Sequence, residues 1–445
     1  MFNKIFSKII QNKNFIKHLS STYLLMGVNY AILLLLTPFT WHRLSQEELG
    51  IWTLLTTIIT YFGLSNMGFL QSLVTELPKR RHDRHQLDKL ISTVFFTLLG
   101  FSVVGLLAAF VIYFGFEYFF KISSENVGVA KASFWPAYVT FLLMFMSSIF
   151  QNIMLSSAKI VEKNLLEIAK IILTNGLIFV LILMGHGLVA IMWATFAVTV
   201  LYCLGLYWQA KNTLPFTLSF GFYDKAIFRQ LAKPSLYYFI IGIGYQIVFF
   251  SDNILIANLA GASFVAVYAF TYRIPDICLK LIMKITDMKL PKITVLNSEK
   301  RFGELLQIHN RLMLFTLAIA VPVCLGLILF GVDVLEFWLN DRNRFDPQIM
   351  WIFAVYMLIH TIIHVPSAFI SGMGIHKRLS YFSLLEAVLN IGFSIFFYQR
   401  IGLAGIALGT LLASIPSLIF VLYEFYGYIY RTERIRSFRQ LFKIS

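Results

Sequence analysis

The chain has 445 residues, of which 58% are hydrophobic and 13% charged, with a mean hydropathy of +0.75 and a formal net charge of +15. Soluble domains carry roughly 25% charged residues, so a chain this apolar cannot be divided into ordinary soluble cores and surfaces. Its positive charge lies in short clusters between apolar stretches, which excludes a continuous basic face for nucleic acid and follows the pattern of membrane-protein loops retained on the cytoplasmic side.

The first segment, Met1 to Lys17, carries Lys4, Lys8, Lys13 and Lys17, while Phe2, Ile5, Phe6 and Ile9 share one face of a helix suited to the membrane interface. No small-residue cleavage site precedes the end of the following apolar run, so that run reads as a transmembrane helix and not as a signal peptide. A helix needs about 20 apolar residues to cross the hydrocarbon. By that measure the first half of the chain holds spans at Phe15–Thr40, Leu49–Val74, Leu90–Phe114, Ala132–Ser157, Leu165–Met184 and Gly187–Trp208. The second half holds spans at Pro234–Asn258, Phe264–Leu290, Leu312–Gly331, Ile349–Ser371, Leu379–Tyr398 and Gly402–Tyr428. The fold class expected is an all-α polytopic membrane protein of about twelve transmembrane helices.

Orientation follows from the 37 Lys and Arg residues. On the outer side this topology leaves only Arg43, Lys121, Lys131, Arg342, Arg344 and Arg400. Arg273, Lys280 and Lys284 fall inside a span, and all the others lie on inner segments, so both termini are expected in the cytoplasm. The outer loops are too short to fold as a catalytic domain. The longest inner loop, Lys211–Lys233, contains Leu214-Pro215 and Gly221 and reads as a hinge. The expected organisation is an N-lobe at 1–210, a linker at 211–233 and a C-lobe at 234–445 that ends in a basic tail.

An internal repeat supports that division. Asn175 and Asn390, Gly187 and Gly402, Leu188 and Leu403, Ile191 and Ile406, and Thr195 and Thr410 share one spacing, 215 residues. Six crossings return the chain to the same side, so the halves would form a parallel repeat of two pseudo-symmetric six-helix lobes around a central cavity.

The eighth span carries Arg273, Asp276, Lys280, Lys284 and Asp287, which at 100° per residue fall within an arc of about 80°. A charge at the bilayer centre costs about 3 kcal/mol, so these five side chains must face water, another helix or a wet cavity. Either the segment is an amphipathic helix at the interface, or its charged row lines a cavity. The row has a net charge of +1, with Arg273 nearest mid-membrane, and a guanidinium suits forked contacts with phosphate. Arg273–Asp276 and Lys284–Asp287 are expected to pair at i,i+3. In the matching second span, Thr53, Thr56, Thr57 and Thr60 form a polar face that either lines the same cavity or bonds back to its own helix. Asp252 and Glu386 are further intramembrane acids, candidates for coupling to an ion. His360 and His364 lie one turn apart, without a visible third metal ligand, so no metal site is assigned. Cys203, Cys278 and Cys324 lie in apolar stretches and read as packing residues. No nucleotide, zinc-protease, nucleophile-elbow or dinucleotide motif is present, so no catalytic residue and no cofactor is assigned and the chain is not read as an enzyme.

The stretch LSQEELGIWTLLTTIITYFGLSNMGFLQSL, Leu44–Leu73, resembles the signature of bacterial polysaccharide flippases, in which an outer-loop L-S-x-E-x-[FL]-G precedes the second helix. Ser251-Asp252, Leu259-Ala260-Gly261, Val267-Tyr268-Ala269 and Tyr272-Arg273 are similar to the companion pattern of the second half. The resemblance implies membership of the multidrug/oligosaccharidyl-lipid/polysaccharide exporter superfamily, with two lobes working by alternating access in the bacterial inner membrane. The implied substrate is an undecaprenyl-diphosphate-linked O-antigen or capsule repeat unit, with membrane lipids and other polysaccharide-assembly proteins as partners. Arg273 matches the position of an arginine that lipid II flippases use on diphosphate; Lys280 and Lys284 would assist, with Asp276, Asp287, Thr53, Thr57 and Thr60 lining the cavity. Two positions depart from the pattern: Asn66 replaces the usual Asp, and Ala266 stands where the repeat partner of Gly50 would be. The competing readings are a cation-coupled small-molecule antiporter of the same superfamily, and a membrane glycosyltransferase, polymerase or scaffold of polysaccharide assembly.

Overall fold

Long apolar helices follow one another with short turns throughout. The computed structural model describes residues 13–63, 69–80, 83–287, 289–341, 344–373 and 376–433, and the regular structure among them is entirely helical. The expected interfacial helix before residue 13, Asn66, Arg342 and the basic tail after residue 433 lie outside the described residues.

The chain opens with α1 (Lys13–Arg43), α2 (Gln46–Phe62), α3 (Phe69–Arg80), α4 (Arg84–Phe114) and the short α5 (Phe116–Phe119). Next come α6 (Ser124–Ser156), α7 (Ile160–Leu183) and α8 (Leu188–Thr213). After a single 3₁₀ turn the chain continues with α9 (Lys225–Leu259), α10 (Ala262–Asp287), α11 (Leu290–Ser298) and α12 (Phe302–Leu339). The last three helices are α13 (Pro347–Gly372), α14 (His376–Ile401) and α15 (Leu403–Glu433). Each span expected from sequence falls on these helices, the second being shared between α2 and α3 and the eighth running from α10 to the first residue of α11. Nine helices among the described residues are long and apolar enough to cross a membrane. α2 has 17 residues and falls short in length, while α10 is made less apolar by its charged row.

The chain divides into two compact units, Met1–Phe239 and Ile240–Ser445, with the boundary inside α9. In the first unit Leu73, Leu90, Ile149, Ile153 and Leu206 form a dry core where α3, α4, α6 and α8 meet. The segment that sequence marks as a linker is laid along α4. Thr217 N donates to Asp88 Oδ1 at 2.8 Å, Ser219 N to Ser92 Oγ at 3.3 Å and Asp224 N to Thr93 Oγ1 at 3.0 Å. Phe216 and Leu231 are buried in the same core, so the segment is held both by apolar burial and by satisfied backbone donors.

In the second unit Ile293, Leu305, Phe369, Val421 and Phe425 pack α11, α12, α13 and α15 together. α14 and α15 approach until their backbones touch. A Cβ on Gly405 would sit 2.2 Å from the Phe397 carbonyl oxygen, and one on Gly409 would sit 2.4 Å from Ser394 N. This is the small-xxx-small solution to helix packing in lipid, where close backbone contact replaces the missing hydrophobic drive. At the repeat spacing the first unit has Ala190 and Ala194.

Candidate functional site

The Leu44–Gly50 motif is structural. Ser45 caps α2 by accepting from Glu48 N, and the Glu48 carboxylate returns a bond to Ser45 N, a reciprocal capping box. Glu47 points to the start of α6, where it accepts from Ser123 N at 2.6 Å, Ser123 Oγ at 2.7 Å and Asn126 Nδ2 at 2.8 Å. Partial burial works against ionisation of Glu47, but these three donors outweigh it and hold the carboxyl below its usual range.

On α10 the structure pairs the charges differently from the i,i+3 expectation. Asp276 forms its ion pair with Lys280, at 2.7 Å and i,i+4. Asp287 turns to His364 Nε2 on α13, at 2.9 Å. The cause is reach: the long Lys280 stem spans a full turn, and α13 brings an imidazole against the last turn of α10. Arg273 is left over the Phe270 ring, 5.0 Å from its centroid. Among the described residues no carboxylate lies within ion-pair distance of Arg273 or Lys284, so the row keeps two cations without a carboxylate of their own. Two residues beyond Arg273, Pro275 lacks an N–H and so deprives the Thr271 carbonyl of its intrahelical donor, which adds a polar backbone group to this stretch.

Asp252 occupies a closed network of oxygens. It is 7% exposed on α9 and accepts from Tyr268 OH of α10 at 2.6 Å and from Thr410 Oγ1 of α15 at 2.9 Å. Asn390 Nδ2 of α14 donates to Thr410 Oγ1 at 2.8 Å, and Ser251 Oγ donates to Asn390 Oδ1 at 2.9 Å. Thr410 Oγ1 also lies 3.1 Å from the Ile406 carbonyl. Four helices thus share one network, three of them at the carboxylate itself. Sequence singled out Asp252 alone. Asn390 and Thr410 were visible as repeat markers, and their repeat partners take the other option: Asn175 and Thr195 bond carbonyls of their own helices, at 2.7 and 2.8 Å.

Glu386, 8% exposed on α14, accepts from Ser417 Oγ of α15 and faces His360 Nε2 at 3.8 Å. The α2 threonines bond within their helix, Thr53 to the Leu49 carbonyl, Thr56 to that of Thr53 and Thr60 to that of Thr56, at 2.7–2.9 Å. Thr57 is buried. The hydroxyl protons of Thr53, Thr56 and Thr60 are therefore spent locally.

The fold and these sites define a multi-spanning membrane protein with charged and polar groups built into its helices. The profile of the family described as "Polysaccharide biosynthesis protein" matches residues 9–294, more than half the chain, and the protein belongs to that family. It is similar to the "Putative O-antigen transporter" of Shigella flexneri, at 21% identity over 367 residues, 82% of this chain and 86% of that one. Its fold is that of two kinds of solved transporter. The lipid II flippase MurJ in an inward closed conformation matches with a TM-score of 0.74 and 17% identity, over 97% of this chain and 90% of that one. An inward-facing multidrug resistance MATE transporter of the MOP superfamily matches with a TM-score of 0.73 and 15% identity, over 92% and 99%.

Proposed function

We propose that this protein is a flippase that carries undecaprenyl-diphosphate-linked oligosaccharide repeat units from the cytoplasmic to the outer leaflet of the bacterial inner membrane. The observation that carries the reading is the charge balance on α10. Asp276 is committed to Lys280 and Asp287 to His364, which leaves Arg273 and Lys284 available to an anionic headgroup. A multidrug antiporter for cationic compounds would need the opposite sign. Membership of the polysaccharide biosynthesis family and the similarity to an O-antigen transporter support the same substrate class.

In this mechanism Arg273 grips the diphosphate in the forked geometry of a guanidinium, and Lys280 and Lys284 add point charge. The polyprenyl tail stays in lipid while the two units, expected at 1–210 and 234–445, alternate access for the headgroup. Asp276, Asp287, Thr53, Thr57 and Thr60 are the polar lining, and both termini stay in the cytoplasm. Energy enters at Asp252, whose carboxylate, with Thr410 Oγ1, Asn390 Oδ1 and the Ile406 carbonyl, makes an all-oxygen set suited to a hard cation.

The decisive experiment deletes the gene and measures lipid-linked repeat units on each leaflet. Accumulation on the cytoplasmic leaflet, reversed by the wild-type gene, is the expected result. Normal outward delivery in the deletion strain would overturn the reading.

A further inference from the structure

Within the second unit, α9, α10, α13, α14 and α15 enclose a cavity of about 300 Å³. Its wall is largely apolar, with Val248, Met283 and Phe420 in it, yet three ionisable side chains face it: His360 and His364 from α13 and Glu386 from α14. The set is separate from the Asp252 network, none of whose members lines this cavity.

The Glu386 carboxylate is only half satisfied. Ser417 Oγ donates to Oε2, whereas Oε1 is buried and has no hydrogen-bond partner among the described residues. Oε1 instead faces His360 Nε2 at 3.8 Å, a gap too long for a hydrogen bond. His364 follows one helical turn later, and its Nε2 is 2.9 Å from Asp287 Oδ1. Exposure rises along this row. The side chains of His360 and Glu386 are 8% and 10% exposed, that of His364 20% and that of Asp287 34%. The row therefore runs from a buried pair toward the surface of the second unit.

The charged and titratable groups around it are few. α10 supplies Asp287 with Lys284 one turn before it, α13 supplies the two histidines and Tyr356, whose ring is 4.2 Å from that of His360, and α14 supplies Glu386. Among the described residues α9 and α15 contribute Gly244, Val248, Ser417, Phe420 and Val421 to the wall. Among the described residues no fixed cation is ion-paired with Glu386 to balance a carboxylate there. A carboxylate and an imidazole this deep in hydrocarbon are least costly with one proton between them, because a second proton or none leaves a net charge in lipid. The cavity has room for several waters, at about 30 Å³ each, to bridge the gaps between the imidazoles.

We propose that this cavity is a proton-binding site, in which Glu386 and His360 take up one proton between them and His364 with Asp287 conducts it to and from water at the exposed end of the row. The site is independent of which substrate the protein carries, and its test contains none. Infrared difference spectra of the purified full-length protein in lipid nanodiscs, recorded against pH, read the protonated carboxyl band directly. A protonated-carboxyl band that titrates with pH is expected in the wild type. It should be absent in Glu386→Gln, retained in Asp252→Asn, and displaced in midpoint by about one pH unit in His360→Gln. Persistence of the band in Glu386→Gln, or an unmoved midpoint in His360→Gln, would overturn the proposal. If Glu386→Gln does not fold, Ser417→Ala provides the same decision: removal of its hydroxyl must displace the midpoint, and an unchanged titration is equally fatal.

Discussion

The Tyr268 hydroxyl donates to Asp252 Oδ2 at 2.6 Å from the neighbouring helix. The tight reversal after α9 makes this possible: Gly261 takes φ of 116°, a conformation open mainly to glycine, and α10 starts at the next residue. The motif residues Gly261 and Tyr268 thereby serve one acid, the glycine by turning the chain and the tyrosine by binding. Loss of the tyrosine hydroxyl removes a bond worth about 1.5–3 kcal/mol to a charged group. Tyr268→Phe should lower the thermal stability of the protein in detergent, and should do so far less in an Asp252→Asn background, where the acceptor is neutral. Equal losses in both backgrounds would mean that the two residues are not energetically coupled.

The cation reading of Asp252 makes a separate prediction. A ligand that binds only the folded state at 100 times its Kd stabilises it by about 2.7 kcal/mol. Sodium or lithium, added at constant ionic strength with choline as the reference, should raise the melting temperature of the wild type and leave that of Asp252→Asn and Thr410→Val unmoved. A response to choline of the same size would remove the specific site.

Arg273 carries the substrate prediction. Arg273→Ala should abolish complementation of a deletion strain at wild-type expression, and Arg273→Lys should restore a fraction, because an ammonium keeps the charge and loses the fork. Lys280→Ala should cost less, since Lys280 is half exposed and already paired with Asp276. Measurement of surface polysaccharide in the three strains ranks them, and full activity in Arg273→Ala would take this residue out of the headgroup site.

Much of this was legible in the chain because lipid imposes strong patterning. Apolar runs placed the long helices, though not the short α5 and α11 or the separation of α2 from α3, and the 80° arc placed the α10 charges on one face. The pairing of those charges was not legible: i,i+3 and i,i+4 neighbours are equally close on a helix, and the partner that Asp287 selects, His364, is 77 residues away. The Asp252 network was hidden for a related reason. Asn390 and Thr410 look like repeat markers, since Asn175 and Thr195 occupy the same places, and only helix packing decides whether such side chains reach across or fold back. The orphaned oxygen of Glu386 has no sequence signature at all.

The helix contact that brings Asn390 to Thr410 is itself testable. A methyl group on Gly409 would lie 2.4 Å from Ser394 N and 2.6 Å from its Cα. These are backbone atoms that cannot rotate away, so α14 and α15 must separate. Overpacking of this kind costs about 1–3 kcal/mol. Gly409→Ala should lower the melting temperature clearly, whereas Ala194→Gly at the matching place in the first unit should cost about 1 kcal/mol or less. Comparable losses would show that the repeat packs with the same tightness in both units.

Asp224 gives a pH dependence outside the membrane. Its Oδ1 accepts from Ala226 N at 2.8 Å and Ile227 N at 3.2 Å, and Lys89 Nζ lies 3.4 Å from Oδ2. The two backbone donors, and after them Lys89, hold the carboxyl below its usual range. A group whose folded pKa is depressed stabilises fully above its unfolded value, and loses that contribution as pH falls through the folded value. Asp224→Ala should therefore destabilise the first unit at neutral pH and converge on the wild type in acid. Asp224→Asn keeps an acceptor for the first turn of α9 but no charge for Lys89, so its deficit should be smaller and should also shrink in acid. Thermal melts of the three proteins across acid pH decide the matter: a gap between Asp224→Ala and the wild type that stays constant down to strong acid would show that the carboxylate charge contributes nothing here.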